Sequence, residues 1–283
     1  MGRGICFFLI RNREGIELAP SLSKDEVVEF SHVSEVLENN RILTDISFKI
    51  GTGERWAVVG PNGSGKTTLL KIINGYLRPS QGKVRVLGGS FGETSLQEIR
   101  KKSGFVSSYL DNLLVSDDNV LDVVVSGSQG ATRLWEVPPM AEVVKGKKIL
   151  RELGCLRFED RKLSELSQGE RQKVLIGRSL MADPALLTFD EACASLDLGS
   201  REAFLKGIEV TAKDRKDLAM IYVTHRIDEI PSIFTKALLL KKGRVVAEGD
   251  LEKVITSENL SSCFGLKVEV KHWQGRLYPV VAS

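Results

Sequence analysis

The first part of the chain carries the alternating apolar and polar residues that are typical of half-buried β-strands. In residues 42–50 the apolar positions that follow this alternation are Ile42, Ile46, Phe48 and Ile50. This alternation predicts a strand with one buried face. Related patterns predict that another strand begins at residues 27–30 and that one covers residues 82–87, closed by two glycines.

The other apolar segments are short and nearly continuous, as in strands that are buried on both faces. They occupy residues 55–59, 185–189, 219–223, 237–240 and 244–247. The last two predict a hairpin around residues 241–243. Strands that alternate with helices predict an α/β fold with a mostly parallel sheet and an antiparallel β edge.

The middle of the chain follows a helical pattern instead. Residues 117–119 are Asp-Asp-Asn and precede the apolar run 120–125, which predicts a helix with a polar N-cap. A stretch broken by Gly, Ser and Pro covers residues 126–139, and a second helix is predicted at 140–153. We therefore expect an inserted helical subdomain at about residues 109–180. It belongs to one domain spanning residues 25–283, after an N-terminal extension at residues 1–24, which is a functional arm or the product of a mis-set start codon.

Composition and charge narrow the class of protein. The chain has 42% hydrophobic and 27% charged residues and a net charge of only +3, with Lys and Arg spread along it. This distribution argues against a nucleic-acid-binding face. The four cysteines match no metal or redox spacing and are interpreted as reduced thiols. The apolar run at residues 5–10 is too short for a membrane span, so we expect a cytoplasmic protein that reaches a membrane only through a partner.

Residues 60–68 carry the most specific chemistry in the chain. They are Gly60, Pro61, Asn62, Gly63, Ser64, Gly65, Lys66, Thr67 and Thr68, which contain the full G-x-x-x-x-G-K-[ST] phosphate loop. A predicted strand precedes the motif and a predicted helix follows it, which counts against a chance match. Backbone N–H groups and the helix N-terminus bind phosphate in such loops. Lys66 is placed for the β- and γ-phosphates and Thr67 for Mg²⁺, so the sequence predicts binding of a nucleoside triphosphate with Mg²⁺.

Further polar residues follow the other predicted strands. Asp190 ends an apolar strand, where its carboxylate can hold Mg²⁺, and Glu191 can orient or deprotonate an attacking water. A helix N-cap pair is the structural alternative for these two residues. His225 also follows a strand, where a single histidine is more often structural. Ser167 is expected to N-cap a helix that starts near Gly169, and such a helix end can also bind an anion.

The order of these motifs resembles that of the ATP-binding cassette (ABC) ATPases over about residues 27–265. The phosphate loop resembles the family's Walker A motif. Residues 166–170, Leu-Ser-Gln-Gly-Glu, resemble its signature motif, and residues 186–191 resemble its Walker B strand with the catalytic glutamate. Residues 195–197, Ser-Leu-Asp, look like the D-loop, and residues 223–225 look like the switch-histidine segment.

The resemblance implies roles for named residues. Lys66, Glu191 and His225 would be catalytic, and Thr67 and Asp190 would hold Mg²⁺. The signature residues Ser167, Gln168, Gly169 and Glu170, together with Asp197, would contact ATP held by a second copy of the chain. A complete site would therefore need a homodimer in which two chains pack head to tail around two ATP molecules.

Two positions depart from the family pattern. Leu37 stands where an aromatic residue usually stacks on adenine, which leaves the preference for ATP over GTP open. Ser108 stands where a glutamine usually touches the Mg²⁺ shell and links it to the helical subdomain. A shorter serine would need a bridging water to do so.

Several functions are compatible with this resemblance. Residues 124–127, 166–176 and 223–231 look like those of single-cassette molybdate-transport-type ATPases. This favours the ATPase subunit of a membrane transporter, with integral permease subunits as partners and a position at the inner face of the cell membrane. A stand-alone regulatory or repair ATPase is the alternative, although the chain lacks a second cassette and sustained heptads. A non-catalytic binding module is disfavoured because Lys66, Asp190, Glu191 and His225 are all present.

Overall fold

A computed structural model describes residues 26–194 and 196–281 of the chain. The predicted N-terminal extension and Ser195 of the D-loop-like segment lie outside the described residues. The strands are β1 (Glu26–Leu37), β2 (Asn40–Gly51), β3 (Arg55–Val59), β4 (Gln81–Val86), β5 (Gly89–Ser90), β6 (Ser103–Ser107), β7 (Leu186–Asp190), β8 (Ala219–Thr224), β9 (Lys236–Lys241), β10 (Arg244–Asp250), β11 (Val268–Trp273) and β12 (Arg276–Val281). The helices are α1 (Lys66–Ile73), α2 (Leu96–Lys102), α3 (Ser108–Leu113), α4 (Val120–Val125), α5 (Met140–Glu152), α6 (Gln168–Met181), α7 (Leu198–Asp214), α8 (Leu251–Val254) and α9 (Ser257–Phe264).

The central sheet has the strand order β10-β9-β3-β8-β7-β6. Its strands pair in parallel from β9 to β6, and β10 pairs antiparallel with β9 as the predicted hairpin. Every residue of β6, β7 and β8 is buried, which explains their continuous apolar runs. The predicted α/β class with a mostly parallel sheet is confirmed.

A second sheet supplies the antiparallel part of the fold, with the order β2-β1-β4-β5. The alternation predicted in β2 is present at residues 46–50, where buried and exposed side chains alternate. It is wrong at the start of the strand, where Leu43 is buried and Ile42 is half-buried, since Asp45 has φ +53° and the register with β1 shifts there.

The rings of Phe30 and Phe48 stack across β1 and β2 with centroids 4.8 Å apart. β1 extends well beyond residues 27–30, where its start was predicted. Its full length was not visible in the sequence, because its register with β2 shifts several times and these irregularities hide the apolar period.

Helices α3 to α6 form a separate helical layer beside the central sheet, and α4, α5 and α6 pack on one another. The sequence predicted that a polar side chain caps α4, and this prediction is wrong. Asn119 is the N-cap residue, but its side chain makes no cap hydrogen bond. The first amides of α4 donate instead to backbone carbonyls, from Val120 to Arg161 at 2.9 Å and from Leu121 to Glu159 at 3.1 Å. No side-chain acceptor is needed there.

The described residues also bear on the expectations about membranes and thiols. No helix in residues 26–194 or 196–281 has the length and apolar character needed to span a bilayer.

Cys155, Cys193 and Cys263 are free and buried, and Cys6 lies outside the described residues. Burial raises the pKa of the Cys193 thiol to about 12, so this thiol is protonated at neutral pH.

A buried hydrogen-bond chain joins α1 to the central sheet. The Asn74 side chain at the end of α1 donates to Thr188 Oγ1 at 2.8 Å, and the Thr188 hydroxyl donates to the Gly104 carbonyl at 3.1 Å. Asn74 and Thr188 are fully buried. Burial without partners is costly for such groups, so this chain fixes the depth at which α1 packs against β6 and β7.

We expect Thr188→Val to destabilise the protein by about 1–3 kcal/mol, because it removes one acceptor and one donor from this buried chain while keeping the side-chain shape. For a domain of this size that corresponds to a fall in Tm of roughly 2–4 °C per kcal/mol. Urea unfolding and a thermal melt would measure it. Thr44→Val, at a half-buried position of β2, is the matched control. Equal stability of the two variants would show that the chain contributes nothing.

Candidate functional site

The phosphate loop joins the end of β3 to the start of α1 and has room only for glycine at two positions. Gly65 has φ +101°, and a Cβ there would lie 2.6 Å from Leu43 Cδ2. A Cβ on Gly60 would lie 2.1 Å from the Leu240 carbonyl oxygen. Real Cβ atoms essentially never lie this close to another atom of the protein. The loop therefore packs closely between β2 and β9.

Lys66 lies under this loop and is only 5% exposed. Its Nζ donates to the carbonyl oxygens of Gly60 at 2.9 Å and Pro61 at 3.1 Å. Burial lowers the pKa of Lys66, and the nearby carboxylates of Glu191 and Asp190 oppose that shift. Ser64 Oγ in the same loop is buried without a hydrogen-bond partner. A loop with a buried cation and an unpartnered hydroxyl fits the phosphates of a nucleotide.

Asp190 brings oxygen atoms together at the carboxyl end of the parallel sheet. Its side chain is 6% exposed, and burial raises its pKa. Oδ1 accepts from Thr67 Oγ1 at 3.3 Å, and Oδ2 accepts from Ser107 Oγ at 3.2 Å. A carboxylate and two hydroxyl oxygens are a donor set that Mg²⁺ prefers. These residues therefore fit the predicted ion.

Ser107 is a site residue that the sequence reasoning missed. It lies next to Asp190 because β6 and β7 are parallel neighbours, in a register that pairs Ser107 with Asp190. Predicting this pairing from the sequence would have required the strand order. Ser108, the predicted position, is exposed at the start of α3. It lines the same cleft of about 490 Å³ as Asp190 and Glu191, without a hydrogen bond to either in the described structure.

Glu191 follows β7 in a strained conformation. Its φ of +49° is unusual for a residue with a side chain, and its backbone N–H donates to the Val223 carbonyl of β8 at 3.0 Å. Strain of this kind costs about 1–3 kcal/mol and is concentrated at functional sites. It aims the carboxylate back over the sheet edge, where Oε1 lies 3.1 Å from His225 Nδ1 and 3.7 Å from Lys66 Nζ. The three predicted catalytic residues therefore lie together.

The signature-like residues lie at the N-terminus of α6. Ser167 is the N-cap residue, as predicted. Glu170 Oε2 accepts hydrogen bonds from Ser167 N at 2.9 Å and from Ser167 Oγ at 2.7 Å, and these bonds lower the pKa of Glu170. Asp197 is the N-cap residue of α7, and its own Oδ1 accepts from Ser200 N at 2.9 Å. Both helix ends present polar groups to solvent.

These two helix ends share one cleft, which the phosphate loop does not reach. Ser167, Gly169, Glu170 and Asp197 line a cleft of about 350 Å³, and none of residues 60–68 lines it. Gln168 faces the other cleft, which it shares with Asp190 and Glu191. Within one chain, Ser167 and Asp197 therefore line a cleft to which the phosphate loop does not contribute.

Leu37 lies in the antiparallel sheet, at the hairpin between β1 and β2. It pairs with Asn40 across a turn in which Glu38 and Asn39 both have positive φ. Its side chain is half-buried. The same sheet borders the phosphate loop through Leu43. The role of Leu37 toward a nucleotide base stays a prediction.

Comparison with known proteins identifies the family to which this chain belongs. The family model described as "ABC transporter" matches residues 43–194. The uncharacterized ABC transporter ATP-binding protein YlmA of Bacillus subtilis is 38% identical over 88% of this chain and 95% of its own length. The energy-coupling factor transporter ATP-binding protein EcfA1 of Oenococcus oeni is 30% identical over 81% of this chain and 80% of its own.

A solved structure is also similar to this chain. The cbiO1 protein of Clostridium perfringens, described as part of the ABC transporter complex cbiONQ, is 26% identical. It superposes with a TM-score of 0.67 over 84% of this chain and 94% of its own. These relatives do not single out the molybdate-transport type that the sequence resembles. The chain belongs to the ABC transporter family, as an ATP-binding subunit that hydrolyses ATP.

Proposed function

We propose that two copies of this chain pack head to tail around two ATP molecules and that their closure drives solute transport through membrane permease subunits. The observation that supports this proposal is that none of residues 60–68 lines the cleft of Ser167 and Asp197. The phosphate loop lies at one edge of the central sheet, and Ser167 and Asp197 line a different cleft. A second copy would bring its own Ser167 to the first copy's phosphate loop.

Each half of the proposed site has a task that follows from its geometry. The backbone N–H groups of residues 60–68 and the ammonium of Lys66 hold the β- and γ-phosphates. Mg²⁺ would be held by the oxygens of Thr67, Asp190 and Ser107, with Ser108 contributing through a water. The ion would supply positive charge against the charge that develops on the phosphoryl group during transfer. The partner's residues 167–170 and Asp197 contact the same ATP from the other side.

Glu191 and His225 act on the attacking water. Glu191 Oε1 lies at the sheet edge beside Lys66, within 3.7 Å of its Nζ. It orients the water and accepts its proton. His225 Nδ1, at 3.1 Å from Glu191 Oε1, holds that carboxylate in place, and its ring is exposed enough to reach a γ-phosphate. The strained backbone of Glu191 fixes this pair before ATP arrives.

An exposed apolar surface supports the membrane partner. Trp135 is 76% exposed, Val137 is 95% exposed and Met140 is 74% exposed, and all three belong to the predicted helical subdomain. Trp135 also lines a cleft of about 390 Å³ with Tyr76 and Leu113. Three large apolar side chains that are this exposed within six positions of the chain are candidates for contact with a partner. The resemblance to molybdate-transport-type ATPases favours import, at the inner face of the membrane. We assign no solute, and the net charge of +3 gives no reason to expect nucleic acid.

We expect Glu191→Gln to bind ATP but to hydrolyse it at least about 100-fold more slowly, because the amide cannot accept the proton of the water. With ATP present it should accumulate as a dimer in analytical ultracentrifugation. Lys66→Ala is the control, since it removes the phosphate contact and should lose hydrolysis without forming the dimer. Turnover of Glu191→Gln at the wild-type rate would contradict the role of Glu191.

Replacing Ser167 by Arg should prevent the dimer while leaving nucleotide binding to the single chain within about twofold. The reason is that Ser167 lines the cleft of about 350 Å³, to which residues 60–68 do not contribute. The large side chain fills the space that the proposed partner's ATP needs. Fluorescence titration with a labelled ATP analogue and ultracentrifugation of Ser167→Arg, Glu191→Gln would measure both effects. ATP-dependent dimers of this double variant would refute the head-to-tail arrangement.

Replacing Trp135 by Glu should weaken association with the membrane fraction in cells, because it places a charge on the exposed apolar surface. Trp273→Glu is the matched control, since Trp273 is 66% exposed on β11, away from the helical layer. Quantitative immunoblots of washed membranes would compare the two variants. Equal membrane association would exclude Trp135 from the docking surface.

A further inference from the structure

The short helix α3 starts at Ser108 and is attached to the nucleotide-binding half of the molecule through Tyr109. The Nζ of Lys71, on α1, lies 3.6 Å from the centroid of the Tyr109 ring. Tyr76, just after α1, meets the same ring edge-on with centroids 6.1 Å apart. A cation over an aromatic face and an edge-to-face ring pair are both favourable. Since α1 begins at Lys66, Tyr109 connects α3 to the phosphate loop.

The opposite side of α3 is attached to the signature helix by an ion pair. Arg171 Nη2 donates to Asp111 Oδ1 at 2.8 Å, and Arg171 Nε lies 3.1 Å from each carboxylate oxygen of Asp111. The remaining nitrogen, Nη1, donates to the Leu163 carbonyl at 3.4 Å. Both side chains are about three-quarters buried, at 23% and 24% exposed. This two-point geometry fixes orientation as well as distance.

Arg171 is well placed to move the signature-like residues. Its backbone N–H donates to the Ser167 carbonyl at 2.9 Å, in the first turn of α6. The next residue, Gln172, donates from its side chain to the Ala192 carbonyl at 3.1 Å, directly after Glu191. The N-terminal part of α6 is therefore attached to α3 by one residue and to the catalytic turn by the next.

We propose that Asp111 and Arg171 are positioning residues that couple ATP bound at the phosphate loop to the orientation of Ser167. They do so in place of the long side chain that Ser108 lacks. The connection runs from α1 through Tyr109 to α3, and from Asp111 through Arg171 to the start of α6. The ion pair crosses the cleft that Asp190 and Glu191 also line. The part of this inference that concerns dimer closure rests on the proposed function.

A purely structural ion pair is the competing explanation. Both side chains keep about a quarter of their surface exposed, so loss of the pair should leave the fold intact under either explanation. The two explanations differ in what happens to turnover. A structural pair predicts unchanged kcat, and a coupling pair predicts reduced kcat with unchanged binding of nucleotide to the single chain.

The experiment compares four full-length variants, Asp111→Asn, Arg171→Lys, their double combination and Asp117→Asn. Arg171→Lys keeps the charge but loses the two-point contact. Asp117→Asn is the matched control, because it removes an exposed ion pair with Lys162 in the same helical layer. For each variant, kcat and KM for ATP, the Kd of a fluorescent ATP analogue and Tm are measured. ATP-dependent dimerisation is then measured in the Glu191→Gln background.

We expect kcat to fall at least about fivefold in both single variants, the lower end of typical coupling between sites. The nucleotide Kd should stay within about twofold and Tm should stay near that of Asp117→Asn. The double variant should be no slower than either single variant, because both remove the same contact. Weaker dimerisation should accompany the loss of kcat.

The proposal is overturned if Asp111→Asn and Arg171→Lys turn over like Asp117→Asn. It is also overturned if Kd and Tm deteriorate together with kcat, which would assign the pair to folding alone. If Glu191→Gln fails to dimerise even with the pair intact, the proposed dimer is wrong. The kcat comparison then still tests the ion pair within one chain, because Gln172, next to Arg171, donates to the Ala192 carbonyl directly after Glu191.

Discussion

The burial of opposite charges at the carboxyl edge of the central sheet is the constraint on which the site depends. Lys66 is 5% exposed and Asp190 is 6% exposed, and burial shifts the pKa of each toward its neutral form. Charges removed from water need partners. Here the loop carbonyls, Thr67, Ser107 and the Glu191 carboxylate supply some of them. A phosphate and a divalent cation would complete the set, so nucleotide binding relieves a cost that the fold already carries.

The sheet topology explains why the charges meet. β3, β7, β8 and β6 are parallel, so their carboxyl ends lie at one edge. Each end carries polar residues: the phosphate loop, Asp190, His225 and Ser107. The strands themselves are buried on both faces. An apolar strand followed by a polar residue is therefore the local signal of the site, and ligands bind at such edges in open α/β sheets.

Features encoded within a few residues could be predicted from the sequence. The phosphate loop, the buried strands, the β9–β10 hairpin and the Ser167 cap all follow from local patterns. Features that depend on distant contacts could not. Ser107 needed the β6–β7 register, and α4 is capped by carbonyls about 40 residues away in sequence. The Asp111–Arg171 pair joins residues separated by 60 positions.

The separation of the phosphate loop from the cleft of Ser167 and Asp197 has an energetic consequence. In the proposed dimer, contacts between ATP and the partner's Ser167 exist only when the two chains are closed. The free energy of those contacts therefore stabilises only the closed dimer, and this stabilisation is lost when the γ-phosphate leaves. For this to act on the helical layer, the position of α6 must depend on the phosphate loop. Within the described residues, α3 contacts α1 on one side and α6 on the other. In the proposed coupling, the connection therefore runs through the body of α3 and not through the short side chain of Ser108.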